Sequence, residues 1–517
     1  MLRRLLKSQI KRDLILCIFS GILLSFSFPN ANIWICAWFG FIPLFLAITG
    51  KPRKNAFLLT YLTGVIFWAG TIYWLVHVTL LGTVLLILYL ALYFAVFGLI
   101  ISRFYLLHTN YCILSIPSIW VLLEYFRSHL LTGFPWALLG YSQSLNLPVI
   151  QFADITGSWG VSFLVMMVNV VLFKFAKSNL ASIRLKQSHK VSDAIRQSII
   201  PIFCLILVLA YGYYKLNLKP RTQNLEPLRI SLIQGNIPQE LKWKPMARSF
   251  IINKYFSLSH NASKENPDLI IWPEAALPYL LGEDPEDFKN LAVSIRGLET
   301  PLLLGAVTVR NNLYYNSALL FSSEGKLLQA YDKVHLVPFG EYIPLKNIFP
   351  FLETIAPIGD IARGKEYTIL KIQNQKSRIQ NSLGVLICFE DLFPDISREF
   401  AKRGIDCLVN ITNDAWYLKT SAAAQHLQAS VFRAVENRLN LIRVANTGIT
   451  GFISPRGMLV FSVRDNSGNN IFIDGVLTEE VKLAKPELTF YTRYGDVFMI
   501  LCCLILLYGI ISRPRKV

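Results

Sequence analysis

No CxxC pair and no Cys/His cluster occurs in the 517 residues, although eight cysteines are present. Six of them, Cys17, Cys36, Cys112, Cys204, Cys502 and Cys503, lie in apolar runs. A disulfide framework or a Cys/His metal centre is therefore not what organises this chain. No A-x-A-like cleavage site follows the first apolar run, and further apolar runs come after it, so the expectation is a retained span rather than a removed leader. Basic charge is missing where a nucleic-acid surface would need it. The net charge is +18, but most of the excess flanks the apolar runs, and the remaining domain is close to neutral.

What is present is apolar length. The mean hydropathy is +0.43, and 53% of residues are hydrophobic. Seven apolar runs precede the polar stretch NLKPRTQNLE, at about 14–29, 33–49, 56–77, 81–103, 112–127, 159–176 and 197–214, and an eighth occupies 497–512. Lysines and arginines cluster on alternate sides of these runs: Arg3 to Arg12, then Lys51, Arg53 and Lys54, then Arg103, then Lys174 to Arg196, and finally Arg513 to Lys516. The opposite short loops carry only Arg127. The positive-inside rule makes the clustered face cytoplasmic, with both termini inside and the intervening domain outside. The expected division is a seven-span membrane domain over 1–216, a linker over 217–228, an α/β domain over 229–488, and a last span with its tail over 489–517. From Arg229 onward short β-type runs alternate with helical patterns, which predicts the α/β class.

Three stretches of the α/β region carry chemistry: DLIIWPEAALP, YDKVHLVPFGEYIP and GVLICFED. Each is an apolar β-type run that ends at or near an ionisable or nucleophilic residue: Glu274, Lys333 and Cys388. Strand ends are where α/β folds present functional groups. Each residue also has an ordinary reading, as a turn acid, a solvated lysine and a packed thiol. Taken together, a thiol with a nearby acid and ammonium can attack a carbonyl, whereas a lone thiol at neutral pH does so poorly. His335 and His426 leave a Cys-His arrangement open.

The order and spacing of these motifs resemble the nitrilase superfamily. QGNIPQELKW, NITNDAWY and the helical pattern from Ala422 extend the likeness over about 229–475. That resemblance implies an αββα sandwich, a Glu274–Lys333–Cys388 triad and no metal or cofactor. It also implies supporting roles for Glu341 and Glu390, and a place at the site entrance for Trp243. Glu390 has a bland alternative, an acid at a helix start.

The membrane motifs WVLLEYFR, GFPWALLGYSQ and DITGSWGVSF, with RYGD before the last run, widen the likeness to almost the whole chain. Here the chain resembles the apolipoprotein N-acyltransferase family. The resemblance implies a bacterial inner-membrane enzyme that moves an acyl chain from a phospholipid to a diacylated apolipoprotein through a cysteine thioester. A membrane-tethered amidase is the rival enzyme, and a transporter or lipid-binding module the rival of another class. Many family members carry Tyr after the nucleophile, where this chain has Phe389. Two further expectations concern a lid over 345–362 and a pairing of Glu124 with Arg127 three residues away.

Overall fold

The computed structural model describes residues 2–103, 112–185, 189–218, 227–343, 361–373, 379–483 and 487–511. The chain divides into two compact units. The first holds residues 1–218, 420–428 and 494–517, and the second holds 219–419 and 429–493.

The first unit is helical, and each apolar run coincides with a helix: Leu2–Phe26, Ile42–Ile48, Arg53–Thr71, Leu80–Arg103, Cys112–His129, Ala153–Leu185, His189–Asn217 and Val497–Ile511. Among the described residues three helical stretches, Leu80–Arg103, Ala153–Ser178 and Ser198–Asn217, are long and apolar enough to cross a membrane, while Trp34–Ile48 and Val497–Gly509 are apolar but shorter. The second run is not continuous. A 3-10 turn over Trp34–Trp38 is followed by a separate helix whose first turn carries Pro43, a residue tolerated at a helix start and disfavoured inside one. The third helix stops at Thr71, and Tyr73–His77 continues as a 3-10 turn. Glu124 and Arg127 do not form the expected ion pair. Arg127 donates to the carbonyls of Phe134 (2.6 Å) and Trp136 (2.8 Å), and Glu124 accepts from the amide of Leu139 (2.7 Å). The chain that follows their helix offers unmet main-chain groups, and both side chains turn to those instead.

The second unit is built from two six-stranded sheets with one plan. The first has the order β12 (Gly475–Val481), β1 (Leu228–Gln234), β2 (Leu269–Ile271), β3 (Leu302–Arg310), β4 (Leu313–Phe321), β5 (Leu327–Asp332). The second has the order β11 (Leu459–Ser462), β10 (Gly451–Ile453), β9 (Asn440–Ala445), β8 (Cys407–Thr412), β7 (Gln380–Ile387), β6 (Ile369–Gln373). In each sheet three central strands run parallel: β1, β2 and β3 in one, and β7, β8 and β9 in the other. Helices Arg248–Ser263 and Pro285–Arg296 make the crossovers of the first sheet, and Pro394–Lys402 and Ala422–Asn437 those of the second. Parallel strands packed on both faces need unbroken apolar runs, and β8 is buried along its whole length. The two sheets pack on each other, β1 on β9, β4 on β7 and β5 on β6, which gives the αββα layering.

Trp272 shows how the outer layer fixes the site. Its ring stacks on Tyr255 (4.9 Å) and meets Phe256 edge-on (5.1 Å). Its Nε1 donates to Ser259 Oγ (2.8 Å). All three partners lie on helix Arg248–Ser263, so the residue two places before Glu274 is locked into the core.

Candidate active site

Glu274, Lys333 and Cys388 all stand just beyond the carboxyl ends of strands, β2, β5 and β7 respectively. This is where the parallel-sheet plan opens a crevice. The turn after β2 needs close approach: a Cβ at Gly305 on β3 would lie 2.6 Å from the Glu274 Cα. Ala275, next to the acid, has φ 43, and Cys388 itself has φ 52. A non-glycine residue in the left-handed region carries a cost of roughly 1–2 kcal/mol. At Cys388 that conformation turns the chain from β7 into the 3-10 turn Cys388–Leu392 and lifts the thiol out of the sheet.

The lysine lies between two acids. Lys333 Nζ is 2.9 Å from Glu341 Oε1 and 3.7 Å from Glu274 Oε1. Asn316, in the middle of β4, donates to both carboxylates, at 2.8 Å to Glu274 and 2.9 Å to Glu341. Its carbonyl accepts from the Lys333 amide (2.9 Å). One asparagine thus sets the separation of two acids and the backbone of the base pair's cation. Burial acts to lower the Lys333 ammonium, but Glu341 and then Glu274 outweigh it, so the group is held above its ordinary range. Burial pushes the Cys388 thiol up, and the Glu274 charge adds to this, against the pull of Lys333. The sulfur therefore rests protonated, and a nucleophilic role for it would require a base.

Glu390 is fully buried. Its carboxylate accepts from the amides of Val334 (2.7 Å), His335 (3.0 Å) and Ile387 (2.8 Å), and from the Tyr331 hydroxyl (3.0 Å). It is more than a helix-start acid, because it ties the chain just after Lys333 to the residue just before Cys388. Burial raises it to about 7, against those amides and Lys333. Phe389 packs edge-on against Phe393 (5.3 Å). The His335 ring lies on Phe393 at 3.7 Å. His426 belongs to the first unit, 5.5 Å from the Trp136 ring. Trp243 is half exposed on the loop after β1. The lid segment falls mostly on residues 344–360, outside the described residues; Ile361 donates to the Glu341 carbonyl (2.9 Å) and Gly364 to that of Lys333 (2.8 Å).

Below Cys388 lies a buried polar network; the motifs GVLICFED and NITNDAWY contain Asp391, Asn410 and Asp414 but give no sign that they join one another. Asn410 donates to the Cys388 carbonyl (3.2 Å) and accepts from Arg443 (2.7 Å). Arg443 also reaches Asp391 and Asp414, each at 3.1 Å. Arg443 is a charged residue on a largely apolar strand, and that polarity is its signal in the sequence.

Comparison with known proteins follows the same division. The family model described as Apolipoprotein N-acyltransferase N-terminal domain matches residues 20–171. The Carbon-nitrogen hydrolase model matches 229–486. A relative from Geobacter metallireducens, named apolipoprotein N-acyltransferase, is 39% identical over 509 residues, covering 95% of this chain and 93% of that protein. The chain belongs to the apolipoprotein N-acyltransferase family. A relative of the same name from Rickettsia prowazekii is 32% identical and covers 80% of each chain. Among solved structures, Saccharomyces cerevisiae Nit3 of the nitrilase superfamily is 18% identical, with a TM-score of 0.37, and covers 52% of this chain and 95% of its own. An amidase from Nesterenkonia sp. is 19% identical, with a TM-score of 0.37, and covers 53% and 96%.

Proposed function

We propose that this protein transfers an acyl chain from a phospholipid to the N-terminal amine of diacylglyceryl-cysteine in apolipoproteins, through a thioester on Cys388. The reading is supported most by one observation: a near full-length relative at 39% identity carries that family's name. The site chemistry is consistent with it. Glu274 takes the proton from the Cys388 sulfur, and the sulfur attacks the ester carbonyl carbon. Lys333 and the Phe389 amide face the oxyanion that forms. The ester C–O bond then breaks, and Glu274 returns the proton to the departing lysophospholipid oxygen. In the second half the acceptor amine attacks the thioester and loses a proton to Glu274. The C–S bond breaks, and that proton returns to Cys388. No metal or cofactor enters either half.

Glu341 holds Lys333 in place, Glu390 aligns the two strand ends, and Trp243 stands at the entrance. The eight helices are read as spans of a bacterial inner membrane, with both termini cytoplasmic and the domain 229–488 periplasmic. Residues 1–216, 217–228 and 489–517 form the membrane domain, the linker and the last span with its tail. A chain with eight apolar runs suits an enzyme whose donor and acceptor are both lipids. The test is intact-protein mass spectrometry of purified protein given phospholipid. One acyl mass should be added, lost to hydroxylamine, and discharged by a diacylated lipopeptide with a free amine but not by its N-acetylated form. A Cys388→Ser variant that still transfers acyl groups would overturn the assignment.

A further inference from the structure

Beside the triad lies another buried lysine, on the loop that follows β1. Lys242 is 4% exposed. Its Nζ donates to the main-chain carbonyl of Glu274 at 3.3 Å. Among the described residues no carboxylate lies within ion-pair distance of it, whereas Lys333 is held by Glu341 and Glu274. A buried ammonium without a counterion is costly, and a neutral donor would serve a single carbonyl as well. The position is also built rather than incidental. Asn446, on the loop after β9, accepts from the Ile237 amide and donates to the Ile237 carbonyl, each at 2.8 Å. Asn413, after β8, donates to Gln239 (2.9 Å). Within the loop the Lys242 amide closes a turn on the Gln239 carbonyl (3.3 Å). The loop of one sheet is thus tied to the strand ends of the nucleophile's sheet, and Lys242 is held in that frame.

We propose that Lys242 is a second cation of the catalytic centre, whose charge offsets the negative charge that appears on Cys388 when Glu274 takes its proton. The inference rests on the triad reading given above. In the resting site Glu341 and Glu274 together neutralise Lys333. When the proton moves from Cys388 Sγ to the Glu274 carboxylate, negative charge moves from Glu274 to sulfur and then to the carbonyl oxygen. Lys242, bonded among the described residues only to a neutral carbonyl, faces that charge with its own unspent. Burial lowers the Lys242 ammonium to about 8, and Glu274 and Cys388 both act to raise it, so its charge is coupled to the two groups that exchange the proton. Lys242 acts through Cys388 and Glu274, which makes it a positioning residue for charge rather than a reacting group.

The test reads the thiol directly in the full-length protein in detergent. Alkylation of Cys388 by iodoacetamide is followed by peptide mass spectrometry from neutral to alkaline pH. Besides Lys242, the groups that face this thiol are Glu274, Lys333 and Asp414, with the Thr412 hydroxyl and burial itself. Lys242→Met is expected to displace the profile upward by about one pH unit and to slow alkylation at neutral pH about tenfold. Formation of the acyl-enzyme should slow by a similar factor, with the KM for phospholipid unchanged. Lys242→Gln retains a donor for the Glu274 carbonyl without the charge, so it should show the same displacement and covers the case in which the methionine variant does not fold. A wild-type profile in the folded glutamine variant would make Lys242 a structural tie only. An unchanged profile with a raised phospholipid KM would make it a headgroup anchor. Either result overturns the proposal. Alkylation needs no acyl donor, so failure of the transferase reading, seen as no acyl adduct on wild-type Cys388, is distinguishable from failure of this one.

Discussion

Removing the Glu390 carboxylate should do more damage than removing any surface acid, and the size of the effect follows from its partners. Glu390→Ala strands the amides of Val334, His335 and Ile387 and the hydroxyl of Tyr331, in a place with no exposure to water. A buried donor left without a partner costs about 1 kcal/mol or more. Four of them, partly relieved by relaxation, amount to about 4 kcal/mol. For a domain of this size that lowers the unfolding midpoint by about 10 °C. The second consequence is local. Two of the lost bonds are to the residues that follow Lys333, and one is to the residue before Cys388. Acyl-enzyme formation should therefore fall by far more than the folded fraction does. The assay pairs thermal unfolding in detergent with mass spectrometry of the acyl adduct, both at a temperature where the variant is folded. A variant with a near wild-type midpoint and normal adduct formation would refute the claim that this carboxylate holds the two strand ends together.

Glu390 also gives a pH signature. Its folded value, about 7, lies above the ordinary 4.5, so the native state binds a proton more tightly, and its contribution is fully present in acid and is lost as pH rises from about 4.5 to 7. The loss is roughly 3 kcal/mol, and Glu390→Gln should flatten that part of the stability profile in a pH-resolved melting series. Lys333→Met should abolish the acyl adduct while His335→Ala keeps it, since the His335 ring is engaged with Phe393; an inactive but folded His335 variant beside an active Lys333 variant would instead indicate a Cys-His pair. Gly305→Ala places a methyl 2.6 Å from the Glu274 Cα, so adduct formation should drop at least tenfold with the fold retained by circular dichroism. A reporter joined after Ser467 should be active outside the inner membrane and one joined after Val517 active inside; the reverse pattern would refute the charge-based topology.

The strand-end rule made Glu274, Lys333 and Cys388 visible, because each follows an apolar run that can only be a buried strand. The groups that hold them were hidden for physical reasons. Asn316 stands in the apolar stretch LYYNSALLF, and the acids it joins are 42 and 25 residues away in sequence. No local pattern encodes a bond of that separation. Lys242 lies inside QGNIPQELKW, yet a lysine beside a tryptophan reads as solvated until burial is known. The i,i+3 rule misled at Glu124 and Arg127, since it counts only side-chain partners and here the next loop presents carbonyls and an amide. A Cys-His arrangement through His335 needs its side chain on the same face as Lys333. That placement assumes an extended strand, but β5 ends at Asp332, and the next amides but one, those of Val334 and His335, both turn to the same carboxylate.

Left-handed backbone recurs on the loops around the candidate site, and also at Asn266, Glu299, Asn311, Asn312, Arg438 and Phe472 elsewhere in the second unit. Non-glycine residues with positive φ stand at Asn236, Ala275, Phe339, Cys388 and Leu418, on loops that follow β1, β2, β5, β7 and β8. The first four of these loops carry Lys242, Glu274, Lys333 and Cys388. Strained conformations persist only where surrounding bonds over-determine them. Such bonds are present: Asn446 accepts from the Asn236 amide through its carbonyl (2.8 Å), the Ala276 amide pairs with Gly305 (2.7 Å), and Asn410 holds the Cys388 carbonyl (3.2 Å). Ala275, Phe339, Cys388 and Leu418 depart from the residue preference for this region, whereas Asn236 is of a type that tolerates it. The apolar strands supply the stability that tolerates this, and the polar cross-ties turn it into fixed positions for Cys388, Glu274, Lys333 and Lys242.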